Sequence, residues 1–258
     1  MPLSDSFIRF ALKQLDSPDV VGIGVVGSYA RAQESKYSDV DLDIFVSKLP
    51  KNPYDHYTLR YWDEKLVSLK YILLADERAA LIDPRRAIWA VPGLRGMKIL
   101  LDKGGAISAL QQAAQDFDWS PLQPAANEFA ADQILGNAEE AHKILTGLAR
   151  GHESTVLYAT WGMVKNMLEA VAVQRGLLIV SENRYFDLIQ DALGRDSKWT
   201  RAFRTAWGLD PHASQYQSRG AAALTLYRLS AAMFAELIPE KHREVVDRTL
   251  QLIKEAGI

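Results

Sequence analysis

Residues 27–46 read GSYARAQESKYSDVDLDIFV, and the end of that stretch places Asp39, Asp41 and Asp43 at every second position of an otherwise apolar run. In a β-strand alternate side chains point the same way, with i and i+2 about 6.5–7 Å apart, so the three acids share one face. Val40, Leu42 and Ile44 share the other. Three like charges on one face repel, and core packing does not require them. The pattern implies that something cationic sits on that face. The bland reading is a solvated edge strand whose acids discourage aggregation.

Working outward, residues 20–26, VVGIGVV, form a β-branched run typical of a buried strand, and Gly27 closes it. Upstream, Phe7, Ile8, Ala11, Leu12 and Leu15 recur at helical spacing behind a Ser4 or Asp5 cap. Downstream, 28–33 form a short helical turn, 35–38 a loop, and 39–46 the acidic strand. Residues 56–62 and 65–72 flank Asp63-Glu64 as a β-hairpin. A short helix is expected over 76–82, a strand over 96–101, and a helix from Ala106 to about Phe117. Strands and helices do not alternate strictly, so the expected sheet is mixed. Beyond Trp119-Ser120-Pro121 the pattern becomes helical throughout, with helices expected at about 124–149, 152–175, 182–193, 198–206, 218–236 and 240–256. The sequence thus predicts an α+β domain over 1–118 followed by an all-α domain over 119–258.

Composition narrows the function. The chain has 258 residues, 48% of them hydrophobic, and a formal charge of −2, so no overall basic field favours nucleic acid as a partner. The absence of cysteine excludes disulfides, thiolate metal sites and a cysteine nucleophile. His56, His142, His152, His212 and His242 show no zinc-ligand spacing, although His142 and His152 fit on one helix. No apolar run reaches transmembrane length and the N-terminus lacks the core of a signal peptide, so the expected location is the cytoplasm, with no membrane partner. The run Gly22-Ile-Gly24-Val-Val-Gly27 matches GxGxxG. A dinucleotide fold needs those glycines in the turn after a strand, whereas Gly22 and Gly24 lie within one. P-loop and GxSxG motifs are missing.

Gly27-Ser28, ten residues, then Asp39-Val40-Asp41 is a more specific constellation. It resembles the signature of polymerase-β-like nucleotidyltransferases: Gly-Ser at the end of one strand, Asp-x-Asp on the next. The layout of the whole chain is most similar to kanamycin-type aminoglycoside nucleotidyltransferases, with a nucleotidyltransferase fold followed by a helical domain. Two further stretches carry the likeness, MKILLDKGG before a helix and Glu139-Glu140-Ala141-His142-Lys143.

The resemblance implies a Mg²⁺-dependent enzyme that moves AMP from ATP to a hydroxyl of a small molecule such as an aminoglycoside antibiotic, with pyrophosphate released, an activity that confers resistance. Asp39 and Asp41 offer the hard oxygen ligands Mg²⁺ prefers. Gly27 lets the backbone approach the triphosphate, and Ser28 and Arg31 bind its oxygens. In the second domain Glu139 is implied as the general base and Lys143 as a nucleotide contact, with Glu140 the alternative in register. Glu and Lys at i, i+4 also form a common surface pair. The acceptor is expected between the domains, where Glu128, Asp132, Glu140, Glu169 and Glu182 could receive ammonium groups. A homodimer is the family expectation. The second reading is a regulatory module of the same fold, of toxin–antitoxin or protein-modifying type. One departure stands out: the later strand, 66–71, carries Ser68 and Lys70 where many relatives place a third carboxylate. Either Asp43, Asp63 or Glu64 substitutes, or the Glu of the second domain supplies the base, or the chain binds nucleotide without turning it over efficiently.

Overall fold

The computed structural model describes residues 3–210 and 213–258, so His212 lies outside the described residues. By its contacts the chain divides into two units, Met1–Ser120 with Leu178–Glu182, and Pro121–Leu177 with Asn183–Ile258.

The first unit is built on a five-stranded mixed sheet in the order β3-β4-β2-β1-β5. Its strands are β1 (Val20–Val26), β2 (Val40–Val46), β3 (Tyr57–Trp62), β4 (Lys65–Leu73) and β5 (Lys98–Asp102), and its helices α1 (Asp5–Leu15), α2 (Gly27–Ala30), α3 (Leu74–Ala80), α4 (Pro84–Gly96) and α5 (Ala106–Gln115). β2 runs antiparallel to β1 and parallel to β4. The β3–β4 hairpin turns at Asp63 and Glu64, whose φ of 49° and 59° suit a tight primed turn. These two acids form the bend itself and face solvent.

Each face of β2 has its own cover. Val40, Leu42, Ile44 and Val46 pack with Phe7, Ala11 and Leu15 of α1, while Trp62 meets Phe7 and Phe10. Ser4 caps α1 by accepting a hydrogen bond from the Phe7 amide at 3.2 Å. On the opposite face, Phe45 and Ile72 pack with Leu94, Met97 and Ile107 from α4, its C-terminal end and α5. A Cβ on Gly22 would overlap Ile107, and one on Gly24 would overlap Met97. These glycines therefore let the helical layer lie close on the sheet, which accounts for the GxGxxG run without a dinucleotide.

Two expectations need correction. The α4 helix falls where none was read, because Pro92 and Gly93 interrupt its pattern, yet Asp83 caps it and Pro84 occupies its first turn. The strand expected from Gly96 starts at Lys98, since Gly96 still belongs to α4.

The second unit is helical: α6 (Gln123–Arg150), α7 (Glu153–Gln174), α8 (Tyr185–Leu193), α9 (Lys198–Trp207), α10 (Tyr216–Met233) and α11 (Glu240–Glu255). Gly151, at φ 69°, ends α6 and separates His142 from His152, which precedes α7 rather than sharing the helix. α6 and α7 form an antiparallel pair in which Asn166 donates to Asn137 at 3.3 Å and Gln123 donates to the Gln174 carbonyl at 2.8 Å. α10 lies against both, where Gly220 faces Val156 and Ile144. Trp199 of α9 donates to Ser230 of α10 at 2.8 Å. No described helix is long and apolar enough to cross a membrane.

Candidate active site

β1 delivers the chain to Gly27, whose φ of 67° belongs to the left-handed region that glycine adopts without strain. Val26 is paired with Asp41, so the turn at Gly27 lies beside that carboxylate. A Cβ on Gly27 would overlap Asp41 Oδ2. The missing side chain therefore keeps one carboxylate oxygen open to the Gly-Ser turn. Beyond α2 the chain is pinned by Gln33 N–H donating to the Ser28 carbonyl at 3.0 Å, and by Ser35 N–H donating to Ser38 Oγ at 2.8 Å. That loop leads directly to Asp39, one residue before β2.

Across the sheet, Asp41 is in register with Ser68 of β4, which donates its hydroxyl to Asp41 Oδ1 at 2.9 Å. Asp43 is in register with Lys70. Ser68 and Lys70 of β4 thus share the acidic face, and the residue opposite Asp41 is a hydrogen-bond donor. Among the described residues no third carboxylate or histidine joins Asp39 and Asp41 in a ready-made cage.

Burial pushes the Asp41 carboxyl above its ordinary range; the Ser68 hydrogen bond opposes the rise, Asp39 adds to it, Arg31 opposes it and Glu182 adds to it. Asp43 is pushed up to about 7, chiefly by burial, with Lys70 opposing and Glu77 and Asp41 adding. Burial also raises Glu77. Glu182 reaches this electrostatic neighbourhood because residues 178–182 belong to the first unit, where Ile179 N–H donates to the Ile88 carbonyl at 2.7 Å. Glu182, one of the acids expected around the acceptor, thus acts on Asp41. Asp102, from the MKILLDKGG stretch, caps α5 through the amides of Ile107 and Ser108 at 3.0 and 2.9 Å.

In the second unit Lys143 bridges two acids on α6, Glu139 Oε1 and Glu140 Oε1, both at 2.9 Å. The Glu139 side chain is 75% exposed and that of Glu140 20%. Glu140 Oε2 is buried without a hydrogen-bond partner, close to the bare Cα of Gly162. The pair of acids raises the Lys143 pKa, through Glu140 first and then Glu139.

Residues 8–91, which span the Gly-Ser turn and the acid-bearing strand β2, match the sequence model of a family described as Nucleotidyltransferase domain. That match covers residues of the first unit, which thus carries a nucleotidyltransferase domain. Among solved structures the chain is similar to a nucleotidyltransferase-like protein from Exiguobacterium sibiricum, with 16% identity and a TM-score of 0.51. That likeness, which is one of fold, covers 92% of this chain and 78% of the other. No curated protein matches the chain in sequence.

Proposed function

We propose that the protein transfers AMP from ATP to a hydroxyl of a small molecule, in the manner of an aminoglycoside nucleotidyltransferase, with Mg²⁺ held at Asp39 and Asp41. The observation that carries this reading is the contact of the Gly27 turn with Asp41, which joins a phosphate-binding turn and a metal-binding carboxylate at one point. The donor set fits the ion: hard carboxylate oxygens, one of them left open because Gly27 has no side chain. When bound, Mg²⁺ supplies charge neutralisation for the triphosphate and the departing pyrophosphate.

The residues of the chain then have distinct tasks. Gly27 and Ser28 hold phosphate oxygens through the backbone and the hydroxyl, and Arg31 adds a cation whose charge also acts on Asp41. The acceptor oxygen forms a bond to the α-phosphorus as the bond to the β-phosphate oxygen breaks, and pyrophosphate leaves with the electron pair. Most of the acceleration comes from in-line positioning and charge stabilisation. Glu139 accepts the hydroxyl proton, a smaller contribution. Its exposure leaves it reachable by substrate, whereas both oxygens of Glu140 are occupied or buried, which suits Glu140 to anchoring Lys143. Lys143 contacts the nucleotide.

The test is pyrophosphate release from each nucleoside triphosphate with Mg²⁺ and a panel of aminoglycosides and other hydroxylated compounds, with Asp39→Asn as control. Release from ATP that is abolished in the variant supports the reading. No release with any acceptor, together with undiminished nucleotide binding in Asp39→Asn, overturns it.

A further inference from the structure

The register of the sheet extends the acidic face outward to the edge. Asp41, Ser68 and Leu59 form one row across β2, β4 and β3, and Asp43, Lys70 and Tyr57 form the next. Tyr61 is paired with Leu66 one step further toward Asp39. Residues directly opposed in neighbouring strands present their side chains to the same face. The Ser68 to Asp41 hydrogen bond is direct evidence that they do so here. Tyr57, Leu59 and Tyr61 therefore line the catalytic face at the sheet edge, and they are 55%, 53% and 75% exposed.

Core packing does not explain this ladder. β3 contributes to the core through Trp62, on its opposite face, against Phe7 and Phe10. Edge strands are ordinarily blunted with charge, and a cluster of exposed large apolar side chains marks a binding surface. The stereochemistry of the transfer indicates what binds. The Gly27-Ser28 turn follows β1, on one side of β2, and β4 and β3 lie on the other. In-line displacement requires the attacking hydroxyl to approach the α-phosphorus from the side opposite the pyrophosphate. With pyrophosphate at the β1 side, the hydroxyl arrives over β4 and the body of the acceptor extends onto β3. Leu59 lies two strand spacings, about 10 Å, from Asp41, a distance that one or two sugar-sized rings span.

We propose that the Tyr57–Leu59–Tyr61 ladder is the acceptor-binding platform, and that the acceptor is a hydroxylated compound with an aromatic or apolar ring face that stacks on these side chains. The proposal rests on the nucleotidyl-transfer reading above. It favours an amphiphilic acceptor over a purely polycationic one, because the ladder presents ring faces and no carboxylate.

The test uses the full chain with Mg²⁺ and a non-hydrolysable ATP analogue, and p-nitrophenyl β-glucoside as probe. Saturation-transfer NMR reads contact with the probe's aryl protons, and calorimetry reads the analogue. The wild type should show aryl contact, and Tyr57→Ala, Tyr61→Ala and Leu59→Ser together should reduce it at least fivefold, with the analogue's Kd changed less than twofold. All three positions are exposed, and a thermal melt with an unchanged Tm verifies that the variant folds. Equal aryl contact in the variant, or none in the wild type despite nucleotide binding, overturns the platform. A fivefold weaker analogue in the variant assigns the ladder to the nucleobase instead. A dimer by light scattering that the variant dissociates assigns it to a second copy. Failure of the wild type to bind the analogue at all overturns the nucleotidyl-transfer reading, and the platform with it.

Discussion

Ser68 donates to Asp41 Oδ1 at 2.9 Å, while the backbone of Gly27 lies against Asp41 Oδ2. One oxygen of the carboxylate thus accepts a hydrogen bond from a hydroxyl on β4, while the other lies open beside the glycine turn after β1.

The Ser68 hydroxyl lowers the pKa of Asp41 against the rise that burial imposes. Ser68→Ala should therefore raise that pKa further and leave more of the carboxyl protonated in acid. Calorimetric titration of the Mg²⁺–nucleotide complex should show affinity reduced about fivefold at pH 5.5 and less than about twofold at pH 8. A uniform loss at both pH values would assign Ser68 a purely steric role.

Gly27→Ala combines two penalties. The left-handed backbone costs an alanine about 1–2 kcal/mol, and its Cβ would displace the Asp41 carboxylate. Turnover should fall at least about 100-fold, because misplacing reacting groups by an ångström costs that much. Denaturant melts and pyrophosphate release, measured together, separate the two effects.

Asp43, pushed up to about 7 chiefly by burial, holds its proton more tightly in the folded chain than in the unfolded one. The resulting stability is present below the ordinary aspartate range and is lost as pH rises from about 4 through about 7. Asp43→Asn should flatten that slope and raise Tm at pH 8 by about 2–4 °C, equivalent to about 1 kcal/mol. Thermal melts from pH 4 to 8 in chelator-treated buffer provide the measurement.

Glu139 and Glu140 share Lys143 but differ in exposure. Glu139→Gln should lower kcat about 10²-fold or more with little change in ATP affinity, as loss of a general base does. Glu140→Gln should chiefly raise the Kd for nucleotide, since it frees Lys143. Reversed outcomes would exchange the two roles.

Much of this protein is legible in its sequence because local chemistry decides it. The β-branched run before Gly27, the alternation of acids through β2 and the turn at Asp63-Glu64 each follow from period and backbone preference over a few residues. The spacing of Gly27-Ser28 and Asp39-x-Asp41 is meaningful in the linear chain because the strands that carry them are neighbours. The helix α4 escaped that reading because a proline and a glycine inside it obscure the pattern, while its stability comes from packing of Ile88, Val91 and Leu94.

The tertiary structure decided whatever depends on register between distant strands. That Ser68 rather than Lys70 faces Asp41, that Lys70 faces Asp43, and that Tyr57, Leu59 and Tyr61 share their face are consequences of pairing β2 with β4 and β4 with β3. A shift of one residue would turn each of these side chains to the other face, and no local propensity sets that alignment. Glu182 is the extreme case, since a buried Ile179 and one backbone hydrogen bond bring its charge to Asp41 across 141 positions of chain (182 − 41). The sequence by itself determined that a Gly-Ser turn and a run of alternating aspartates sit on consecutive strands; the folded sheet alone determined which side chains surround them.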